Sequence, residues 1–422
     1  LSWKSTSPIK VSPQETGVSV QSADGTEYPL QYYTDLDGNV QAVFAPAVPP
    51  LGWERFGVIP ASAAGGPRAF SYQDNQLKTP FYHITFDEAG RITSLIDLRQ
   101  EKEMVAQGGA FNALISAEDV PVFWDAWDID ADWTRHICQE TRLESTELVT
   151  DGPVSIRIRR AYRIGTASRL VQDMVCYAGD PRIDFETKVD WKERRRLLKV
   201  EFATAIDATQ VRCEVQYGHL FRNTHKNLPQ DRAKFEMCAH KWISLEEAGG
   251  GIALLNDCKY GHDVSGGLMR LSLLRSPMAP DPEADQGEHR FTYAILPFNG
   301  SFEHAGVVRS AYELNTCPEV EWSHSQNPCK SLQQSLCSLE GESVIIESVK
   351  VPEADQEGKT LVLRLYESLG GRTRTTLRFN RDLNQAYETN MLEENAQPIP
   401  FTGNAVSLTF KPFEIKTLLV HL

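Results

Sequence analysis

The chain has 422 residues, enough for a sizeable core and two to four domains, and its 43 Lys+Arg against 57 Asp+Glu give a net charge of −14. That balance argues against a polyanionic partner such as nucleic acid, since the densest basic stretch is only Lys192-Glu-Arg-Arg-Arg196. No run of 18 or more apolar residues occurs, so no helix is expected to span a membrane. The eight cysteines are scattered without a Cys-x-x-Cys pair, which reads as reduced thiols in a cytoplasmic protein rather than a disulfide framework.

The chain starts Leu1-Ser-Trp-Lys, with no initiator Met and no signal-peptide pattern, and reads as a cut inside a longer polypeptide. Residues 1–78 are expected to form a small β module and a linker. Val18-Ser-Val20 alternates, Asp24-Gly25 and Asp37-Gly38 are two hairpin signals, Val48-Pro-Pro-Leu-Gly-Trp53 closes the unit, and Gly65-Gly-Pro67 marks the linker.

Residues 79–300 read as one large antiparallel β domain. Phe86-Asp-Glu-Ala-Gly90 turns between two alternating strands, and Val154–Tyr162 and Ile183–Trp191 alternate apolar against polar residues. Few helical stripes are present. Ser244-Leu-Glu-Glu247 has capping-box spacing, but Gly249-Gly-Gly251 would end any helix within a turn. Residues 301–422 hold short, β-branched, turn-separated runs at Val344–Ile346, Leu361–Tyr366, Thr375–Phe379, Val406–Phe410 and Lys416–Val420, which predict a terminal β-sandwich. The expected fold class is all-β.

One run fits no periodicity. Asp119-Val-Pro-Val-Phe-Trp-Asp-Ala-Trp-Asp-Ile-Asp-Ala-Asp-Trp133 packs three Trp and five Asp into fifteen residues. Aromatic faces stack on sugar C–H groups while carboxylates accept hydroxyl hydrogen bonds, so this is sugar-site chemistry. The plainer alternative is a crossover loop whose Trp residues plug the core and whose Asp residues cap turns. A second dense block runs through Phe235–Trp242, Gly251–His262, Leu271–Pro277 and Asp285–Tyr293. There Arg275 directly follows an apolar strand, so it sits at a sheet rim and needs an acceptor: a ligand hydroxyl, Asp281 or Asp285.

Trp124-Asp-Ala-Trp-Asp-Ile-Asp130, preceded by Phe111-Asn-Ala-Leu114, resembles the glycoside hydrolase family 38 α-mannosidases, in the branch found in bacteria and in the cytosol or vacuole of eukaryotes. Asp190–Val200, Tyr217–His225 and Leu363–Glu367 extend the resemblance to roughly residues 79–420. It implies that residues 79–300 fold like a galactose-mutarotase supersandwich flanked by smaller β-sandwiches. It also implies a parent enzyme that hydrolyses α-mannosides with retention, using zinc bound through a His-x-Asp motif, another Asp and a His in an N-terminal α/β barrel.

None of that metal motif is here. No His-x-Asp occurs, His262-Asp263 being the nearest, and the closest two of the ten histidines, His219 and His225, are six apart. The resemblance therefore implies the C-terminal β half of such an enzyme, without its catalytic half, holding no catalytic residue and no metal, and inactive alone. Its partners would be α-mannoside glycans and the N-terminal catalytic barrel, with homo-oligomers also open. Its role would be to build one wall of the substrate cleft, through Trp124, Asp125, Trp127, Asp128, Asp130, Arg275, Asp285 and His289; Arg275 is similar in placement to an arginine that in the family reaches toward the active site.

Two other readings stay open. A stand-alone carbohydrate-binding module would use the Trp/Asp run directly. A mutarotase- or epimerase-like enzyme would need a His and a carboxylate converging on one sugar ring, with His225, His289 and Asp285 as candidates. A hydrolytic pair of Asp125 with Asp128 or Asp130 would need carboxyl groups about 5 Å apart.

Overall fold

The computed structural model describes residues 1, 3–14, 17, 19–59, 68–322, 334–353 and 360–422. Val18, the Gly65–Pro67 linker signal and Cys329 lie outside the described residues. Strands dominate, as expected from the alternating pattern.

The N-terminal module is two three-stranded sheets. One orders Ile9–Val11, Val40–Phe44 and Gln31–Thr34; the other orders Glu27–Pro29, Ser19–Ser22 and Phe56–Ile59. Both predicted hairpins form, with Gly25 and Gly38 at φ +88° and +85°, a region that side chains resist. Ile9, Val20, Leu30, Ala42 and Phe44 pack between the sheets.

The large domain is built on a nine-stranded and a six-stranded antiparallel sheet that share one buried core. Ile156, Phe185 and Leu254 enter that core from the nine-stranded sheet; Leu198, Val200 and Leu271 enter it from the six-stranded one. A five-stranded sheet over residues 71–103 closes a third side. Its first two strands, Ser71–Gln73 and Gln76–Lys78, pair onward to Tyr82–Phe86, so a boundary at 78/79 cuts through a continuous sheet. Phe70 and Leu77 belong to the large core, which begins about ten residues earlier than the alternation alone suggested.

Ser244–Glu247 is strand rather than a helix start. Trp242–Glu247 pairs with Gly250–Asn256 across a turn at Gly249 (φ +95°), and Ile243 and Leu245 enter the core. Burial of those alternating side chains overrides the local capping signal.

Among the described residues two α-helices escaped the sequence reading, the single turn Pro229–Ala233 and a longer one. Val307–Asn315 follows Gly306 and buries Val307, Val308, Ala311 and Tyr312. It lies on the outer face of the nine-stranded sheet, against Trp242, Leu255 and Leu296, and meets Ile345 and Tyr366 of the C-terminal unit. Partly buried Leu1 and Trp3 join the same cluster, so one apolar seam ties all three parts together. Nine residues without a Ser, Thr, Asp or Asn N-cap leave little pattern to read.

The C-terminal unit is a four-stranded and a five-stranded sheet packed face to face, and each of its five predicted strands is present.

Strand register places the ends that matter. Glu118 pairs with Arg196, and Leu197 with Arg275, so three strands of the six-stranded sheet end together. Lys192–Arg195 and 276–286 cross from there to Trp191 and Gly287 of the nine-stranded sheet. These connections and the segment after Glu118 form one rim of the sandwich.

Candidate functional site at the sandwich rim

The Trp/Asp run is a strap thrown out from this rim. It leaves strand Ala113–Glu118 and returns through a 3₁₀ turn at Trp133–His136 to Ile137–Cys138, which pairs back onto Ser116 and Ala117. Both of its ends are anchored, by different chemistry.

At the far end Trp133 is 4% exposed and lies on the outer face of the six-stranded sheet, among Ala117, Leu197, Ile129 and Phe235. The Lys199 ammonium stands 4.6 Å from its ring centre and the Arg270 guanidinium 5.3 Å, both within cation–π range. Lys199 has no exposed surface; it pairs with Glu236 and, at 2.8 Å, with Asp263. Arg270 takes Asp263 at 3.0 Å and Glu201 at 2.8 Å. Burial still lifts the Glu236 carboxyl above its ordinary range, against the pull of Lys199.

At the near end the Asp119 amide donates to Arg195 O at 2.9 Å, and its carboxylate receives Arg275 Nε and, at 3.1 Å, Arg275 Nη2. Burial raises the Asp119 pKa even beside that guanidinium. The same Nη2 also donates to the carbonyl of Asp128. Asp125 Oδ2 accepts the Met278 and Ala279 amides at 2.5 and 3.0 Å, tying the strap to the neighbouring loop.

Between the anchors the backbone turns tightly. The Trp127 and Asp128 amides both donate to Trp124 O, at 2.7 and 2.9 Å, and Trp124 sits at φ +57°, which is uncommon for so bulky a residue. The outcome is that Trp124 and Trp127 stand 72% and 75% exposed, with Val122 and Phe123 exposed beside them. Among the described residues neither the Asp128 nor the Asp130 carboxylate accepts a hydrogen bond.

The other rim loops form the floor. Glu193 accepts the amides of Thr166, Ala167 and Ser168, and Arg194 pairs with Glu283 at 2.6 Å. Asp285 Oδ2 accepts the Arg275 amide at 3.0 Å, and the Asp285 carbonyl lies 2.8 Å from His289 Nε2.

The rim thus brings together all eight residues singled out in the sequence, but in two groups. Trp124, Trp127, Asp128 and Asp130 keep their side chains free; Asp125, Arg275, Asp285 and His289 spend polar groups on the protein. The Arg275 guanidinium does find a carboxylate, but that of Asp119; Asp285 takes only the Arg275 backbone amide, and no bond joins Arg275 to Asp281 among the described residues. Register explains this, since Asp119 also directly follows a strand end, two strands away in the same sheet. Of the three tryptophans only Trp133 plugs a core. Sequence reasoning passed over Asp119 as the partner of Arg275, although both stand at the end of an apolar strand, and it passed over the Lys199 anchor, which lies within strand Arg196–Ala203.

Among the described residues no group of three or more His, Cys, Asp or Glu is placed to hold a metal ion. His262 is fully buried with its Nδ1 3.2 Å from Tyr260 O, while the neighbouring Asp263 is taken by Lys199 and Arg270. His219 sits against Arg212 and Ser368 O, and His225 against Asp231. Of the candidates for epimerase chemistry, His289 stands beside Asp285, while His225 lies elsewhere on the sheet. His289 and the strand leading to His225 are separated by four strand spacings of the nine-stranded sheet, about 19 Å.

Residues 77–283 match the family described as "Glycosyl hydrolases family 38 C-terminal domain", and residues 343–418 match "Glycosyl hydrolases family 38 C-terminal beta sandwich domain". The chain is 38% identical over 350 residues to Alpha-mannosidase 2C1 of Homo sapiens, covering 82% of this chain and 33% of that protein. It is 37% identical over 357 residues to Alpha-mannosidase G of Dictyostelium discoideum, covering 82% and 32%. The chain therefore spans about a third of the length of these curated relatives. The crystal structure of an alpha-mannosidase from Enterococcus faecalis V583 superposes with a TM-score of 0.72 over 99% of this chain and 55% of that one. At 13% identity that likeness speaks to the fold.

Proposed function

The chain belongs to glycosyl hydrolase family 38 through its C-terminal domains, and from that premise we propose that it is the C-terminal β region of a retaining, zinc-dependent α-mannosidase. Its large sandwich, akin to a mutarotase supersandwich, forms one wall of the substrate cleft, with the strap 119–133 facing the sugar. The nucleophile and the zinc belong to an N-terminal catalytic barrel beyond these 422 residues, and zinc there would hold sugar hydroxyls.

The observation that carries this reading is the pair Trp124 and Trp127, held outward on a strap fixed at both ends. Exposed apolar clusters of this kind mark interaction surfaces. Two exposed indole rings beside two free carboxylates suit a sugar ring, which offers C–H groups on its faces and hydroxyls at its edge. Fixing the strap beforehand removes ordering entropy that binding would otherwise cost.

The parent enzyme acts on α-mannoside glycans. A cytoplasmic setting accords with the seven described cysteines, all unpaired. Among the described residues no helix is long and apolar enough to cross a membrane. Hydrolysis of an aryl α-mannoside with added zinc is the test. The complete polypeptide carrying these residues is expected to turn it over and the 422-residue chain alone is not; turnover by the chain alone would overturn the assignment.

A stand-alone sugar-binding module is the second reading, because the tryptophans are exposed without any other domain. Calorimetric binding of short mannosides by the chain alone favours it; silence supports the cleft wall. Light scattering on the same sample reports whether the uncovered patch drives self-association into homo-oligomers.

A further inference from the structure

The eight rim residues divide by what their polar atoms already touch, and that division assigns roles within the proposed cleft wall. This inference rests on the α-mannosidase reading above. Arg275 has the side chain best suited to grasping a sugar, yet its guanidinium is engaged by the Asp119 carboxylate and the Asp128 carbonyl, and Asp285 holds its backbone amide. Asp125 is spent on two amides of the 276–279 loop. Both sets of bonds close on the same short turn, from Trp124 to Asp128.

That turn is the strained part of the strap. Trp124 lies at φ +57°, a conformation that a bulky residue keeps only when its surroundings impose it. Two things impose it here: the Asp125 tether just after Trp124, and the Arg275 bond to the carbonyl of Asp128. A planar guanidinium can serve a carboxylate and a carbonyl at once, which a single ammonium does less well.

We propose that Arg275, with Asp119 behind it, is a positioning residue that fixes the Trp124–Asp128 turn, and that sugar contact falls to Trp124, Trp127, Asp128 and Asp130. The substrate class is then a mannoside with one sugar face laid on indole and with hydroxyls donating to two carboxylates. Arg275 acts on the sugar only through the turn.

Amide hydrogen exchange on the 422-residue chain tests the positioning half. In Arg275→Ala the Trp127 and Asp128 amides are expected to exchange at least tenfold faster, with the Leu254 amide of the core unchanged. Arg275→Lys should recover part of that protection, and Asp119→Asn should lose less than Arg275→Ala. Unchanged rates at the turn, or equal acceleration at Leu254, would overturn the role.

Kinetics of the complete polypeptide test the contact half. Asp128→Asn and Asp130→Asn should raise KM about tenfold with turn exchange unaltered; unaltered KM in both overturns that assignment. The double variant Arg275→Ala/Trp127→Ala should be no worse than the worse single variant, because both act through one turn. Additive losses would mean that Arg275 touches the sugar itself. If the complete polypeptide hydrolyses no α-mannoside, the functional reading falls, while the exchange arm still decides whether Arg275 positions the turn.

Discussion

Trp133 and Trp127 lie six residues apart in one run and have opposite fates. Trp133 is roofed over two cations whose carboxylate partners are all in place, and is 4% exposed; Trp127 is 75% exposed on a turn held by backbone carbonyls. Composition is the same at both positions, Trp beside Asp. What differs is the surface beneath: Lys199, Asp263 and Arg270 line the sheet under Trp133, whereas Trp127 stands mostly in solvent at the rim. One end of the strap is a foundation and the middle is a presented surface.

The largest expected effect breaks the foundation. Lys199→Ala leaves the Glu236 and Asp263 carboxylates buried without their ammonium and should cost about 3–5 kcal/mol in urea unfolding. A loss below about 1 kcal/mol would mean that Arg270 alone satisfies those carboxylates, and the contrast with the exposed turn would weaken.

Acid attacks the same sheet from its inner face. Burial holds the His262 pKa down at about 4, against an ordinary value of 6.5, on the strand that carries Asp263. The folded imidazole refuses a proton that the unfolded one takes, so stability is complete above pH 6.5 and declines as pH falls toward 4. By linkage the loss approaches about 3 kcal/mol. His219, lowered to about 4 by burial and by Arg212, adds in the same direction. Urea midpoints recorded across that window should fall, and His262→Leu should flatten the fall; an unchanged slope would remove His262 as its cause.

Arg275→Ala sharpens the comparison from the near anchor. Losing hydrogen bonds to a charged partner costs about 2 kcal/mol, less than the foundation because Arg275 is partly exposed. A cost equal to that of Lys199→Ala would make the two anchors equivalent.

How much of this was legible in the sequence follows from range. The strands of residues 79–300 and of the C-terminal sandwich show in their alternation, and the Gly25 and Gly38 turns in their dipeptides, because those signals are local. The helix Val307–Asn315 has only nine residues, and its apolar face is defined by a sheet and a sandwich far away in sequence. Likewise the run 119–133 announced itself by composition, but nothing local told Trp133 from Trp127. Lys199 lies 66 residues beyond Trp133, and Asp119 is 156 residues from Arg275. The register of three strands brings such pairs together, and register is a tertiary property.

The smallest expected change in stability belongs to the presented surface, and it carries the most direct test of the cleft-wall account. Trp124→Ala/Trp127→Ala should leave the urea midpoint within about 0.5 kcal/mol of the parent, as surface changes do. In the complete polypeptide the same pair should lower kcat/KM toward aryl α-mannosides by about tenfold, the scale of about 1.4 kcal/mol of lost stacking. Unchanged kcat/KM at unchanged stability would contradict the placement of the strap against the sugar.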